Sequence, residues 1–137
     1  MYYNKTELNQ LFEDFKILEE WQDKYETLIE MGKILPELTE IKKPENLVSG
    51  CSSKVWVVVE LKDGLVNLKI NSNSLTVSGL MSIFLLYLDQ KTPKEVLDFN
   101  LEKINNSSLQ NYLSSNRQNG LIATLKRIKN EILLKNI

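Results

Sequence analysis

Residues 55–61, Val-Trp-Val-Val-Val-Glu-Leu, are dense in β-branched and aromatic side chains, and Lys62-Asp63-Gly64 supplies turn chemistry before a second strand-like run at residues 65–70. This pattern predicts a β-hairpin. In the second run Val66, Leu68 and Ile70 alternate with Asn67 and Lys69, which sends one row of side chains to a buried face and the other to a wetter one. A sheet with one apolar face needs a second layer over it, and the rest of the chain offers mainly helices.

Leu8, Leu11, Phe12 and Phe15 recur at helical spacing behind Thr6, so residues 6–17 read as an amphipathic helix capped by Thr6. Trp21, Tyr25, Leu28 and Ile29 repeat the pattern through residues 19–34, and Pro36 stops it. Residues 37–50 carry Pro44, Ser49 and Gly50 with little periodicity and predict a connection with at most a short strand near residues 46–49. Residues 77–88 are apolar on almost every side, as in a central helix with several neighbours, and are the candidate cover for the sheet. Thr92, followed by Pro93 and Glu95, marks a short helix ending near Asp98, and residues 107–113 read as another. Leu121, Leu125, Ile128 and Ile132 mark a last helix over residues 118–135, whose other faces carry Lys126, Arg127, Lys129, Glu131 and Lys135. The fold class is therefore α+β, a small antiparallel sheet packed on one side by several helices. One domain over residues 1–137 is long enough to bury a continuous core without metal or disulfide staples.

The chemistry open to this chain is narrow, because it contains no histidine and a single cysteine, Cys51. Cys–His catalysis, His-ligated zinc and histidine acid–base chemistry are excluded, as are an internal disulfide and a multi-cysteine metal site built by this chain alone. Seventeen basic residues against eighteen acidic ones give a formal charge of -1 with no Lys/Arg block, which argues against a nucleic-acid partner. The most apolar run, residues 80–88, is far shorter than the roughly 20 residues that span a bilayer, so neither a transmembrane helix nor a membrane partner is expected. The first residues turn amphipathic and charged at once, unlike a secretory signal, and the expected location is cytoplasmic.

Gly50-Cys51-Ser52-Ser53 lies between the irregular segment and the first strand, which places the cysteine at a loop tip or strand entrance within reach of a partner. A thiol is a nucleophile only as thiolate; its pKa of about 8.5 falls beside cations or backbone N–H groups and rises on apolar burial. Lys54 and Arg117 are the candidate cations. A lone cysteine is more often an inert core residue than a functional one, but glycine on one side and serines on the other argue against simple core packing.

The run Ser49-Gly50-Cys51-Ser52-Ser53-Lys54-Val55-Trp56-Val57 resembles the sulfur-acceptor loop of SufE-type proteins, with a Gly-Cys-x-Ser-x-Val-Trp core intact. Trp21-Gln22-Asp23-Lys24-Tyr25 with Gly32-Lys33-Ile34-Leu35-Pro36 is similar to that family's N-terminal helix pair. Ser78-Gly79-Leu80 and Tyr87-Leu88-Asp89-Gln90-Lys91-Thr92-Pro93 resemble its central helix and the segment after that helix, and Arg117-Gln118-Asn119-Gly120-Leu121 resembles its C-terminal Ser-Arg-x-x-Gly-Leu segment. In all, the resemblance runs in unbroken order from about residue 8 to residue 135. Two positions depart from the family pattern: Asn73 stands where aspartate is usual and Ser78 where lysine is frequent, and both changes remove a charge.

The resemblance implies a fold shared with IscU-type scaffolds and the role of a sulfur acceptor and carrier. Cys51 takes persulfide sulfur from a pyridoxal-phosphate cysteine desulfurase of SufS type, the protein stimulates that enzyme, and the sulfur passes toward iron–sulfur cluster assembly on a SufBCD-like complex. The protein is then an accessory sulfurtransferase rather than a stand-alone enzyme. Pyridoxal phosphate belongs to the partner, and no cofactor is expected here. No second cysteine is needed, since a resolving cysteine would capture the persulfide as a disulfide and release sulfide. The thiol is expected to rest sheltered and to swing out when the desulfurase docks. Arg117 reads either as electrostatic support for the thiolate or persulfide or as a solvated charge at the start of the last helix. Trp56 reads as a wall of a pocket for Cys51 or as plain core, and Gly50 and Gly79 as serving backbone geometry. The alternative function is a non-covalent activator, or an iron–sulfur assembly interaction protein, in which Cys51 is incidental. An iron-binding scaffold is disfavoured, because one cysteine and no histidine leave too few soft ligands within a monomer.

Overall fold

A computed structural model describes residues 2–105 and 115–135 of the chain. The helix expected over residues 107–113 lies outside the described residues. The hairpin forms as its sequence predicts: β1 (Val55–Lys62) pairs antiparallel with β2 (Leu65–Ser72), with Val57 opposite Ile70 and Val59 opposite Leu68. Asp63 and Gly64 both take positive φ, 55° and 79°, as a two-residue turn matched to strand twist requires. Val55, Val57, Val59, Val66, Leu68 and Ile70 are buried, whereas Trp56, Val58, Asn67 and Lys69 on the opposite face are only partly covered.

Helix α1 (Lys5–Ile17) begins earlier than its sequence pattern predicts. Asn4, not Thr6, is the cap: its side chain accepts a hydrogen bond from the Glu7 N–H at 3.0 Å. Asparagine caps at least as well as threonine, so the chain extends the helix by starting there. Helix α2 (Trp21–Ile34) ends as expected ahead of Pro36, because a residue preceding proline is pushed out of the helical region. The connection after it contains two 3-10 turns, Thr39–Ile41 and Pro44–Asn46, and the strand expected near residues 46–49 reduces to one bridge between Leu47 and Trp56.

The central helix α3 (Leu75–Leu88) starts at Ser74, whose hydroxyl accepts from the Val77 N–H, and is buried along almost its whole length. It meets α2 backbone to backbone. A Cβ on Gly79 would lie 1.8 Å from the Leu28 carbonyl oxygen, and one on Gly32 would lie 2.1 Å from that of Leu75. Helix α4 (Pro93–Asp98) carries the Thr92/Glu95 capping box, in keeping with its sequence, and is followed by the short α5 (Glu102–Asn105).

The last described helix, α6 (Ser115–Lys135), opens three residues before its predicted start, and Leu121, Leu125, Ile128 and Ile132 are its buried stripe. Helix α3 packs on β2 and α6 on β1, so both cover the apolar face of the hairpin and leave the other face wetter. Buried Asp89, just past α3, accepts from the Tyr3 hydroxyl at 2.8 Å and the Leu68 N–H at 2.9 Å, tying the N-terminal segment and the end of α3 to β2. No helix among the described residues is long and apolar enough to cross a membrane.

Candidate functional site

The segment before β1 folds back on the strand it precedes. The Val48 N–H donates to the Val55 carbonyl at 2.8 Å, which pinches off residues 49–54 as a loop with Cys51 near its tip. Gly50 sits at φ 93°, a conformation that costs glycine little and other residues much. Two further contacts hold the base. The Ser72 hydroxyl donates to the Lys54 carbonyl at 2.7 Å, and Arg127 of α6 donates from Nη1 to the Leu47 carbonyl at 2.9 Å and from Nη2 to the Glu45 carbonyl at 2.6 Å. Glu131, one turn along α6, accepts from Arg127 Nε at 3.0 Å and fixes the guanidinium plane.

Between these anchors the loop lies down on α6. Gly120, Ala123, Thr124 and Arg127 recur at i, i+3, i+4 and i+7, so they share one face of the helix. Small side chains on that face let the loop come close: a Cβ on Gly50 would stand 3.4 Å from that of Ala123, and one on Gly120 would stand 3.6 Å from the Cys51 sulfur. The Cys51 side chain is half-buried, with Sγ 3.7 Å from the Gly120 carbonyl oxygen and 3.8 Å from the Thr124 hydroxyl. A small cavity beside it has room for about 20 Å³, and its walls include Val55 of β1, Val77, Leu80 and Met81 of α3, and Arg117 and Gly120 of α6.

Burial pushes the Cys51 thiol up from its ordinary pKa, and the hydrogen bond with Thr124 pulls against that rise. The net shift is upward, so at neutral pH the resting sulfur is held as a thiol. Of the two candidate cations, Arg117 lines the cavity, while Lys54 has an exposed side chain and meets the site through its backbone carbonyl. Trp56 is neither a wall of the cavity nor fully buried core. The pleat turns it to the opposite face of β1 from Val55, where Lys42 Nζ lies 5.3 Å from the centre of its ring.

Asn73 and Ser78 line a separate polar groove of about 280 Å³ that also includes Glu37, Lys42 and Ser72. Ser78 is buried there, donating to the Ser72 carbonyl at 3.3 Å. Among the described residues no cluster of three or more histidine, cysteine or acidic side chains could hold a metal ion. Thr124 and Arg127 are the site residues that sequence reasoning missed. Their signal was the row of small and polar positions on one face of α6, beside the apolar stripe that marks the helix.

With this geometry in view, the comparisons with known proteins are specific. The family described as "SufE: Fe-S metabolism associated domain" matches residues 9–132. An uncharacterized SufE-like protein of Rhizobium meliloti (strain 1021) is 38% identical over 132 residues, 92% of this chain and 94% of its own length. One from Rhizobium etli is 38% identical over 130 residues, 90% of this chain and 88% of its own. The fold is similar to the solution structure of a hypothetical protein from Thermus thermophilus, with a TM-score of 0.72 at 22% identity and 98% of each chain covered. The chain belongs to the SufE family, whose domain is associated with iron–sulfur metabolism.

Proposed function

We propose that this chain, as one SufE-like domain in the cytoplasm, accepts sulfur on Cys51 from a cysteine desulfurase, stimulates that enzyme and carries the sulfur toward iron–sulfur cluster assembly. One observation carries the reading: the only thiol of the chain rests at the tip of a pinched loop, beside a cavity of about 20 Å³. A space of roughly 10–15 Å³ holds one water-sized guest, so the cavity has room for one additional atom of sulfur.

The chemistry is an exchange. The desulfurase presents a persulfide on its own cysteine, and the Cys51 thiolate attacks the outer sulfur. A new S–S bond forms on Cys51 as the donor S–S bond breaks, the donor cysteine leaves as thiolate, and the proton lost from Cys51 goes to solvent or to the departing thiolate. There is no net oxidation, and the step needs no second cysteine of this chain and no metal. Pyridoxal phosphate is the partner's cofactor.

The resting thiol is held back from reaction because it is half-buried and protonated. Docking of the desulfurase draws the loop off α6 and into water, where the thiol returns toward its ordinary pKa of about 8.5 and reacts. Arg117, on the wall of the cavity, supports the negative charge of a thiolate or persulfide when the loop closes again. The loaded protein then takes its sulfur to a SufBCD-like scaffold complex.

The reading is tested by alanine release from a pyridoxal-phosphate cysteine desulfurase given L-cysteine without reductant, with the protein added either intact or as Cys51→Ser. The carrier role predicts stimulation by the intact protein that is lost in the variant. Full stimulation by Cys51→Ser would instead make this a non-covalent activator in which the cysteine is incidental.

A further inference from the structure

The two polar groups placed against the Cys51 sulfur differ in what they can offer it. The Gly120 carbonyl only accepts, so it suits a thiol that donates its proton and opposes a thiolate. The Thr124 hydroxyl both donates and accepts, and it has no exposed surface through which water could replace it. A threonine inside a helix also has the carbonyl four residues back within reach of its hydroxyl, and for Thr124 that carbonyl belongs to Gly120. The partner that the structure gives the hydroxyl is Cys51 Sγ, toward which it can turn either to accept or to donate.

We propose that Thr124 is a positioning residue for the Cys51 sulfur in the closed loop, a hydroxyl rotor that turns to donate to that sulfur whenever it has no proton of its own. In the resting state the single thiol proton goes either to the Gly120 carbonyl, leaving the Thr124 hydroxyl free to donate to Sγ, or to the Thr124 oxygen. When Cys51 loses its proton to solvent, or carries a second sulfur in place of that proton, the carbonyl has lost its donor and the Thr124 hydroxyl turns to Sγ. The loop then has a closed position for the loaded as well as for the empty protein. This inference rests on the carrier reading, but its geometry is specific to Thr124.

No histidine or carboxylate lines the cavity beside Cys51. Helix α3 presents Val77, Leu80 and Met81; α6 presents Arg117; and the loop's own Lys54 is exposed. A change in the pH profile on altering Thr124 therefore reports on the hydroxyl.

The test compares Thr124→Val, which keeps the shape and removes the hydroxyl, with Thr124→Ser, which keeps the hydroxyl. Iodoacetamide alkylation of Cys51 is followed against pH in the protein alone, and persulfide transfer from a desulfurase is followed at neutral pH. Thr124→Val should move the alkylation midpoint up by about one pH unit and Thr124→Ser should restore it, while transfer, which takes place with the loop drawn off α6, continues in both variants. If the valine variant does not fold, Thr124→Ala carries the same comparison. A wild-type midpoint without the hydroxyl, or a shifted midpoint that serine fails to restore, overturns the proposal. Absence of any transfer in the unaltered protein would refute the carrier reading itself, while the alkylation profile still decides the role of Thr124.

Discussion

Replacing Gly120 by alanine separates the stability of the fold from the use of the cavity. Gly120 lies inside α6, where alanine is favoured over glycine by about 1 kcal/mol. The added methyl would meet Cys51 Sγ at 3.6 Å and Met81 Cε at 3.9 Å, both ordinary contacts, so nothing in the empty protein must move. Gly120→Ala should therefore raise the melting temperature by about 3 °C. The same methyl takes up the space beside the thiol, in a cavity of only about 20 Å³. An outer sulfur in the closed loop would then be overpacked, at a cost of about 1–3 kcal/mol. That is at least about a fivefold shift of the loaded loop toward its open, solvent-exposed position. The assay pairs a thermal melt with the decay of the Cys51 persulfide in a small thiol reductant, read by mass spectrometry. The variant should melt higher and lose its sulfur at least about fivefold faster. A higher melting temperature with wild-type persulfide decay would refute the assignment of the cavity to the outer sulfur.

The geometry sets three further outcomes. Gly79→Ala drives a Cβ to within 1.8 Å of the Leu28 carbonyl oxygen, so it should cost about 3 kcal/mol or more, and a melt within a degree or two of wild type would show that α2 and α3 are not in backbone contact. Arg127→Met removes both carbonyl contacts at the base of the loop, each worth about 1.5–3 kcal/mol with a charged donor. It should speed iodoacetamide alkylation of Cys51 several-fold, whereas an unchanged rate would mean that the base does not control opening. Alkylation of the unaltered protein should rise with pH around a midpoint above that of free cysteine, because burial raises the folded thiol's pKa. The stability tied to that shift is present below the unfolded thiol's pKa of about 8.5 and is lost as pH climbs past it, since the unfolded chain gives up its proton first. A midpoint at or below that of free cysteine would contradict the placement.

Much of the architecture was legible because it rests on strong periodicities. The hairpin followed from β-branched runs around Asp63-Gly64, and α3 from an apolar stretch too continuous to have a wet face. The α1 cap was misplaced because Asn4 and Thr6 are both capping residues two positions apart, and only the geometry decides between them. Cys51 stood out by being the only cysteine and by its loop chemistry. Its surroundings did not, because they come from α3 and α6, far along the chain. In α6 the apolar stripe through Leu121, Leu125, Ile128 and Ile132 dominates any search for periodicity, and Gly120, Thr124 and Arg127 on the adjoining face register as ordinary small or polar positions. Trp56 was misassigned for a related reason: Val55-Trp56-Val57-Val58-Val59 is apolar at every position, so its pleat does not announce which face is inward.

The central claim is most directly tested by intact-protein mass spectrometry after anaerobic, non-reducing incubation with a cysteine desulfurase and L-cysteine, with Cys51→Ser as the control. The account predicts a gain of one sulfur atom that thiol reductant removes and that the serine variant never acquires. A protein that stays unmodified with several active desulfurases, although its Cys51 alkylates readily, would contradict it.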